Sequence, residues 1–286
     1  MKRNLLGYLL LAPAMVAILA VVIYPLLYSV YVSLTDLTIG MPMISFVGLS
    51  NYLDSLKDPI FKSSLLTTIE FTFIAVTTEF LLGFGVALLL YREFRGRDVI
   101  RTITLLPMMI TPVVVGIIWL LLYQPDFSLI NYLLSLIGIE GPLWLQSRPW
   151  ALISIIVADI WHWSPFFVLL LSSGLLSLPQ DPLEAARVDG ASNVQVFWHI
   201  MLPLLRPLIM VALLLRIIEA FKVFDKVYVM TEGGPGIFTE VLSFRIWKEA
   251  FMFRHFGYSA SMSYYMIIIL SILAMVLFRL LRREEM

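Results

Sequence analysis

The chain has no cysteine. A disulfide framework, a thiolate metal site and a cysteine nucleophile are thereby excluded together. The compartment stays open, because oxidising and reducing environments both tolerate a cysteine-free chain. Charge is scarce as well: Asp, Glu, Lys and Arg make up 14% of the 286 residues, against about 25% in a soluble domain. Twenty basic and twenty acidic side chains cancel to a net charge of zero, so no basic field exists to recruit nucleic acid. The three histidines, His162, His199 and His255, lie in three different segments. They match neither a His-Glu-x-x-His metal motif nor a nucleophile and base, so no catalytic residue and no metal site is expected. No glycine-rich loop ends in Gly-Lys-Ser or Gly-Lys-Thr, and nothing here cradles nucleotide phosphates.

What is abundant is apolar side chain, 60% of the residues with a mean hydropathy of +0.92. Lipid must be the solvent for most of such a chain. A hydrocarbon core of about 30 Å needs about 20 helical residues. Six stretches qualify, near Leu5 to Leu34, Ser64 to Tyr91, Thr104 to Tyr123, Trp150 to Leu176, Leu208 to Met230 and Met262 to Leu281. The expected fold class is therefore an all-α integral membrane protein with six transmembrane helices in one domain over residues 1–286. The first stretch follows Lys2-Arg3 and carries no charge until Asp36. It is longer than the apolar centre of a signal peptide, about 7 to 15 residues, and reads as a retained span.

Orientation follows from Lys and Arg in the connecting segments, which resist translocation. With both termini in the cytoplasm, Lys2, Arg3, Arg92, Arg95, Arg97, Arg101, Arg187, Arg206, Arg279, Arg282 and Arg283 lie inside, eleven against six outside (Lys57, Lys62, Arg148, Arg245, Lys248 and Arg254).

The inner segment 177–206 does not read as a linker. Asp181 is placed to cap a helix, with Pro182 at the first helical position and Glu184 completing a capping box; Asp189-Gly190 ends it. Ser192 with Gln195 repeats the pattern, and a second short helix should run until Pro203 interrupts it. This knob offers Val188, Val194, Phe197 and Ile200 as apolar area for a groove on a partner.

Glu184-Ala185-Ala186, then Asp189-Gly190-Ala191, Ile200 and Leu202-Pro203 resemble the EAA motif of ABC importer permeases. Phe46 to Tyr52, Leu106-Pro107, Trp119, Asn131, Phe224-Asp225 and Thr231 to Pro235 extend that likeness to the MalF-like permeases of carbohydrate importers. The resemblance implies a type I importer fold in a bacterial or archaeal cytoplasmic membrane, with the nine EAA residues coupling to an ATPase. It also implies partners: a second, MalG-like permease, an ATP-binding subunit dimer carrying ATP and Mg, and a periplasmic or lipid-anchored solute-binding protein. The cargo would be a sugar or related polyhydroxylated solute. This chain would bind no cofactor, hydrolyse no ATP and touch membrane lipid. An ion-coupled secondary transporter is the rival class; it usually shows internal repeats, and it has no use for the knob.

Ionisable groups inside a bilayer are costly, about 2.5 to 3.5 kcal/mol each at the centre. The fifth stretch holds Arg216, Glu219, Lys222, Asp225 and Lys226. On one continuous helix these would share half the wheel, with Asp225 and Lys226 close to the outer surface. Arg216, Glu219 and Lys222 either line the solute path or form i,i+3 ion pairs. In the fourth stretch, Asp159, Trp161, His162 and Trp163 sit about halfway along. The tryptophans there either stack on a sugar ring or pack between helices. Glu79 is deep in the second stretch and needs a partner that sequence does not name.

Overall fold

The computed structural model describes residues 2–41, 43–125 and 128–282; Arg283 of the basic tail lies outside the described residues. Among these, all extended regular elements are helices, joined by loops with two isolated β-bridges. Helix α1, Lys2–Ile18, passes through a π turn into α2, Tyr24–Ser33, and α3 covers Ser50–Lys57. The long α4, Pro59–Tyr91, is followed by α5, Arg97–Leu105, and α6, Pro112–Tyr123. Next come α7, Leu129–Ser135, α8, Trp150–Leu176, α9, Gln180–Val188, and α10, Asn193–Val196. The remainder is α11, Leu202–Phe221, α12, Asp225–Met230, α13, Leu242–Trp247, and α14, Phe256–Arg282.

Five helical runs are long and apolar enough to cross a membrane: Leu10–Ser33, Pro59–Tyr91, Trp150–Leu176, Asn193–Met230 and Phe256–Arg279. A sixth forms if Arg97–Met109 and Pro112–Tyr123, bent by 98°, count as one. The third expected span is thus two pieces. Pro112 explains the break, since the residue before a proline is pushed out of the helical region, and Thr111 is extended at ψ 144°.

The fifth expected span differs at both ends. Pro203 does not interrupt it. A π turn over Phe197–Met201 lets Leu202 N–H reach Phe197 O, and the helix continues into α11; the wider turn absorbs the bond that proline cannot make. Farther on, the helix stops at Phe221, and Lys222 to Phe224 leave helical geometry before α12 begins. Ser243 Oγ donates to the Val223 carbonyl inside this break, satisfying one acceptor that the lost helix leaves open.

The chain divides into two compact units, residues up to Lys62 with Arg245–Ile269, and Ser63–Phe244 with residues from Leu270 on. In the first, Asn51 Nδ2 ties the end of α2 by donating to Ser33 O at 2.9 Å and Thr35 O at 2.8 Å. Arg245 pairs there with Glu249 and with Asp58 at 3.6 Å. In its exposed loop, the Ser45 hydroxyl and backbone N–H donate to Asp36 and hold that carboxyl below its usual range. In the second unit, α4 and α8 meet at Gly83, where a Cβ would lie 2.5 Å from Phe167 Cβ and 2.9 Å from Ser164 O. Only glycine permits that approach.

Candidate functional site

Helix α11 buries Leu205, Ile209, Ala212, Arg216 and Ala220. Their spacing of three and four residues is one stripe, so Arg216 stands on the protein-facing side of α11, while Glu219 and Lys222 are exposed. The expected polar half-wheel is therefore not formed: the wheel does not run past the break at Lys222. Nor does Arg216 pair with Glu219. Its Nε donates to Glu79 Oε2 at 2.6 Å and its Nη2 to Glu79 Oε1 at 2.8 Å. Nη2 also reaches Asp159 Oδ2.

Lys226 joins the same carboxylate from the other side, donating to Asp159 Oδ1. This overturns the expectation that Lys226 sits near the outer surface. On an unbroken helix Arg216 and Lys226 would be about 15 Å apart along the axis; the break returns Lys226 to the carboxylate that Arg216 holds. Lys226 Nζ lies 2.9 Å from His162 Nδ1, and His162 Nε2 lies 2.9 Å from Ile110 O. A carbonyl only accepts and an ammonium only donates, so the network assigns a neutral imidazole with its proton on Nε2. Ile110 belongs to the kink before α6, and its freed carbonyl is satisfied this way.

Glu79, Asp159, His162, Arg216 and Lys226 are each no more than 2% exposed. Two carboxylates and two cations balance, and each charge is hydrogen-bonded, the condition under which ions are tolerated away from water. The Arg216 guanidinium also lies 5.1 Å from the centre of the Trp163 ring, a cation–π contact. Four helices, α4, α8, α11 and α12, are tied together here.

Beside this network a cavity of about 90 Å³ is lined by Trp163, Arg216, Glu219, Lys222, Asp225 and Lys226, among others. Glu219 and Lys222 form an exposed ion pair at 2.7 Å. Asp159, His162, Trp163 and Arg216 are thus brought together, with Glu219 and Lys222 at the cavity rim. Trp161 is not with them. It packs edge-on against Trp119 at 6.0 Å, in a run that continues through Tyr123 and Trp144 to Trp150. At 100° per residue, Asp159, His162 and Trp163 share a face of α8 that Trp161 leaves.

At the other expected site, α9 begins at Gln180, so Asp181 lies in its first turn and Pro179 stands at the cap without a side-chain bond. The end of α9 is a complete Schellman motif: Gly190 N–H donates to Arg187 O at 3.1 Å and Ala191 N–H to Ala186 O at 2.9 Å. Gly190 has φ +84°, the left-handed conformation that favours glycine. The Ser192–Gln195 capping box is present. Leu183 and Val196 are buried, whereas Glu184, Ala185, Asp189 and Gly190 are exposed and Ala186 and Ala191 half-buried. Val188 and Val194 stand out at 88% and 66% exposure. Phe197 does not share that surface, since it turns inward against Phe84 at 5.7 Å. Ile200 and Leu202 are half-buried and Pro203 exposed. A cleft of about 400 Å³ runs between Asp189 and Ile200.

Long apolar helices around a neutral ionic core define a multi-pass integral membrane protein. The chain belongs to the family of binding-protein-dependent transport system inner membrane components, whose model matches residues 79–284. It is 41% identical over 273 residues, 94% of this chain and 88% of the relative, to a probable ABC transporter permease of Sinorhizobium fredii. It is 40% identical over 238 residues, 83% of this chain and 81% of the relative, to the trehalose/maltose transport system permease MalF of Thermococcus litoralis. In fold it is similar to a chain of the bacterial alginate ABC transporter solved in complex with an alginate pentasaccharide-bound periplasmic protein. That TM-score is 0.87 at 20% identity, covering 99% of this chain and 96% of the other. The protein is an inner-membrane permease subunit of an ABC importer, of a family with no catalytic activity of its own and no cofactor expected on the chain.

Proposed function

We propose that this chain forms one half of a translocation pathway for a sugar or related polyhydroxylated solute and receives its drive through segment 177–206. The observation that carries this reading is the knob itself. It has a short helix closed by a Schellman turn, a second helix opened by a capping box, an exposed Glu184 and apolar Val188 and Val194 beside an open cleft. Exposed valines on a folded protrusion call for a groove on a partner, and an ATP-binding subunit is the partner that supplies energy this chain cannot release. Glu184 to Ala186, Asp189 to Ala191, Ile200, Leu202 and Pro203 are assigned to that coupling. The solute class is supported by the relative named for trehalose and maltose and by the neighbour solved with an alginate-loaded periplasmic protein.

The full assembly in this reading pairs the chain with a second permease on an ATPase dimer, and a periplasmic or lipid-anchored binding protein delivers solute. Both termini and the knob face the cytoplasm in this reading, which the arginines of 92–101 support. Closure of the ATPases moves the docked knob, and the spans follow as bodies. Trp163, Arg216, Glu219 and Lys222 face the pathway, with Asp159 and His162 behind them. Solute-stimulated ATPase activity of the whole complex in vesicles tests the reading. Glu184→Lys and Gly190→Pro should each abolish the stimulation while the protein stays in the membrane; unchanged stimulation rejects the docking role.

A further inference from the structure

Every cation lining the cavity beside Trp163 is already committed to a carboxylate of this chain. Arg216 is held by Glu79 and Asp159, Lys226 by Asp159 and Lys222 by Glu219. Asp225 is different: it lines the same cavity, is half-buried, and makes no ion pair or side-chain hydrogen bond among the described residues. Three cations against Asp159, Glu219, Asp225 and the adjoining Glu79 leave one negative charge in excess. A carboxylate, phosphate or sulfonate on the solute would find no free cation and would meet that excess charge at short range, where repulsion is weakly screened.

A hydroxyl group finds the reverse. An unengaged carboxylate accepts from O–H donors, and charge-assisted bonds of this kind are stronger than neutral ones. Trp163 and Phe224 also line the cavity, and aromatic rings suit the C–H surface of a polyol. At about 90 Å³ the cavity has room for about three waters, so it takes one hydroxyl-bearing edge of the cargo.

Resting on the importer reading above, we infer that Asp225 is the hydroxyl acceptor of this half of the pathway and that the transported solute is uncharged. The test is ATP-driven accumulation by the complete transporter, reconstituted with its binding protein. Trehalose and maltose serve as uncharged probes; digalacturonate and glucose 6-phosphate serve as anionic ones. Uncharged probes should accumulate and anionic ones should not. Asp225→Ala should raise the half-saturating concentration about tenfold or more, and Asp225→Glu should recover part of the loss. Accumulation of an anionic probe overturns the inference while leaving the importer reading intact, as does an unchanged half-saturation in Asp225→Ala with protein of normal size-exclusion profile. No ATP-dependent accumulation of any sugar or polyol, in a panel widened beyond these probes, rejects the importer reading, and this inference with it.

Discussion

A guanidinium with bonds to two carboxylates, all almost wholly buried, is stable only as a set. Removing one member leaves its partners charged and unpaired, and breaking a buried pair in this way costs about 3 to 5 kcal/mol. Arg216→Gln leaves Glu79 and Asp159 with only Lys226 between them; Glu79→Gln leaves two cations on one Asp159. The double substitution Glu79→Gln with Arg216→Gln removes one charge of each sign and keeps the Asp159–Lys226 pair. We expect each single variant to unfold well below the parent in detergent and the double variant to recover part of the loss, measured by thermal melting. A loss in the double variant equal to the sum of the two single losses would show that the charges are not coupled.

At the same scale, part of the network was legible beforehand. Asp159, His162 and Trp163 stand about halfway along the fourth stretch, and the deep Glu79 needed a partner. The identity of that partner was not legible, because Glu79 and Arg216 are 137 residues apart and nothing local relates them. Lys226 was misplaced for a different reason: the break at Lys222 to Phe224 carries neither glycine nor proline, and Ser243, which satisfies Val223, is remote in sequence.

Among the elements, backbone approach decides what the side chains can do. Glu79 lies one turn before Gly83 on α4, and Gly83 is where α4 and α8 nearly touch. A methyl group at residue 83 would press on Phe167 Cβ and the Ser164 carbonyl, both fixed to the α8 backbone, so the helices must part. Gly83→Ala is expected to cost about 1 to 3 kcal/mol and to loosen the Glu79–Arg216 bonds, seen as a lower melting temperature. Gly85, which meets nothing within 4 Å, is the control: Gly85→Ala should be neutral or slightly stabilising, since alanine favours helix. Trp161→Ala offers a second element-level check. Trp161 belongs to the aromatic run on Trp119, so the variant should lose stability while the half-saturating solute concentration stays within about twofold, whereas Trp163→Ala, beside the cavity and Arg216, should shift transport.

The knob between the fourth and fifth spans was the most legible element, because caps and turns are written in local residues. Ser192 and Gln195 close their box, and Gly190 takes the left-handed turn. Its starting residue was off by two positions, since Pro179 rather than Asp181 stands at the cap of α9. Pro203 misled because a proline breaks an α-helix but is accommodated after a π turn, and no short-range signal marks the π geometry.

For the molecule as a whole, topology fixes which side the energy comes from. The proposed coupling of the knob to an ATPase requires it to be cytoplasmic, and the segment Thr231 to Ser261, by the same count of spans, is then outside. Absence of cysteine makes this directly measurable, because any introduced thiol is the sole target in the chain. Ala191→Cys sits in the knob beyond the turn and Ile237→Cys in the loop before α13. In intact spheroplasts a membrane-impermeant maleimide should label Ile237→Cys and spare Ala191→Cys; after permeabilisation both should react. Labelling of Ala191→Cys in intact spheroplasts would place the knob on the wrong side of the membrane for ATP. The basic residues of 92–101 would then face outward against their bias, and no rotation of an ATPase could reach the spans.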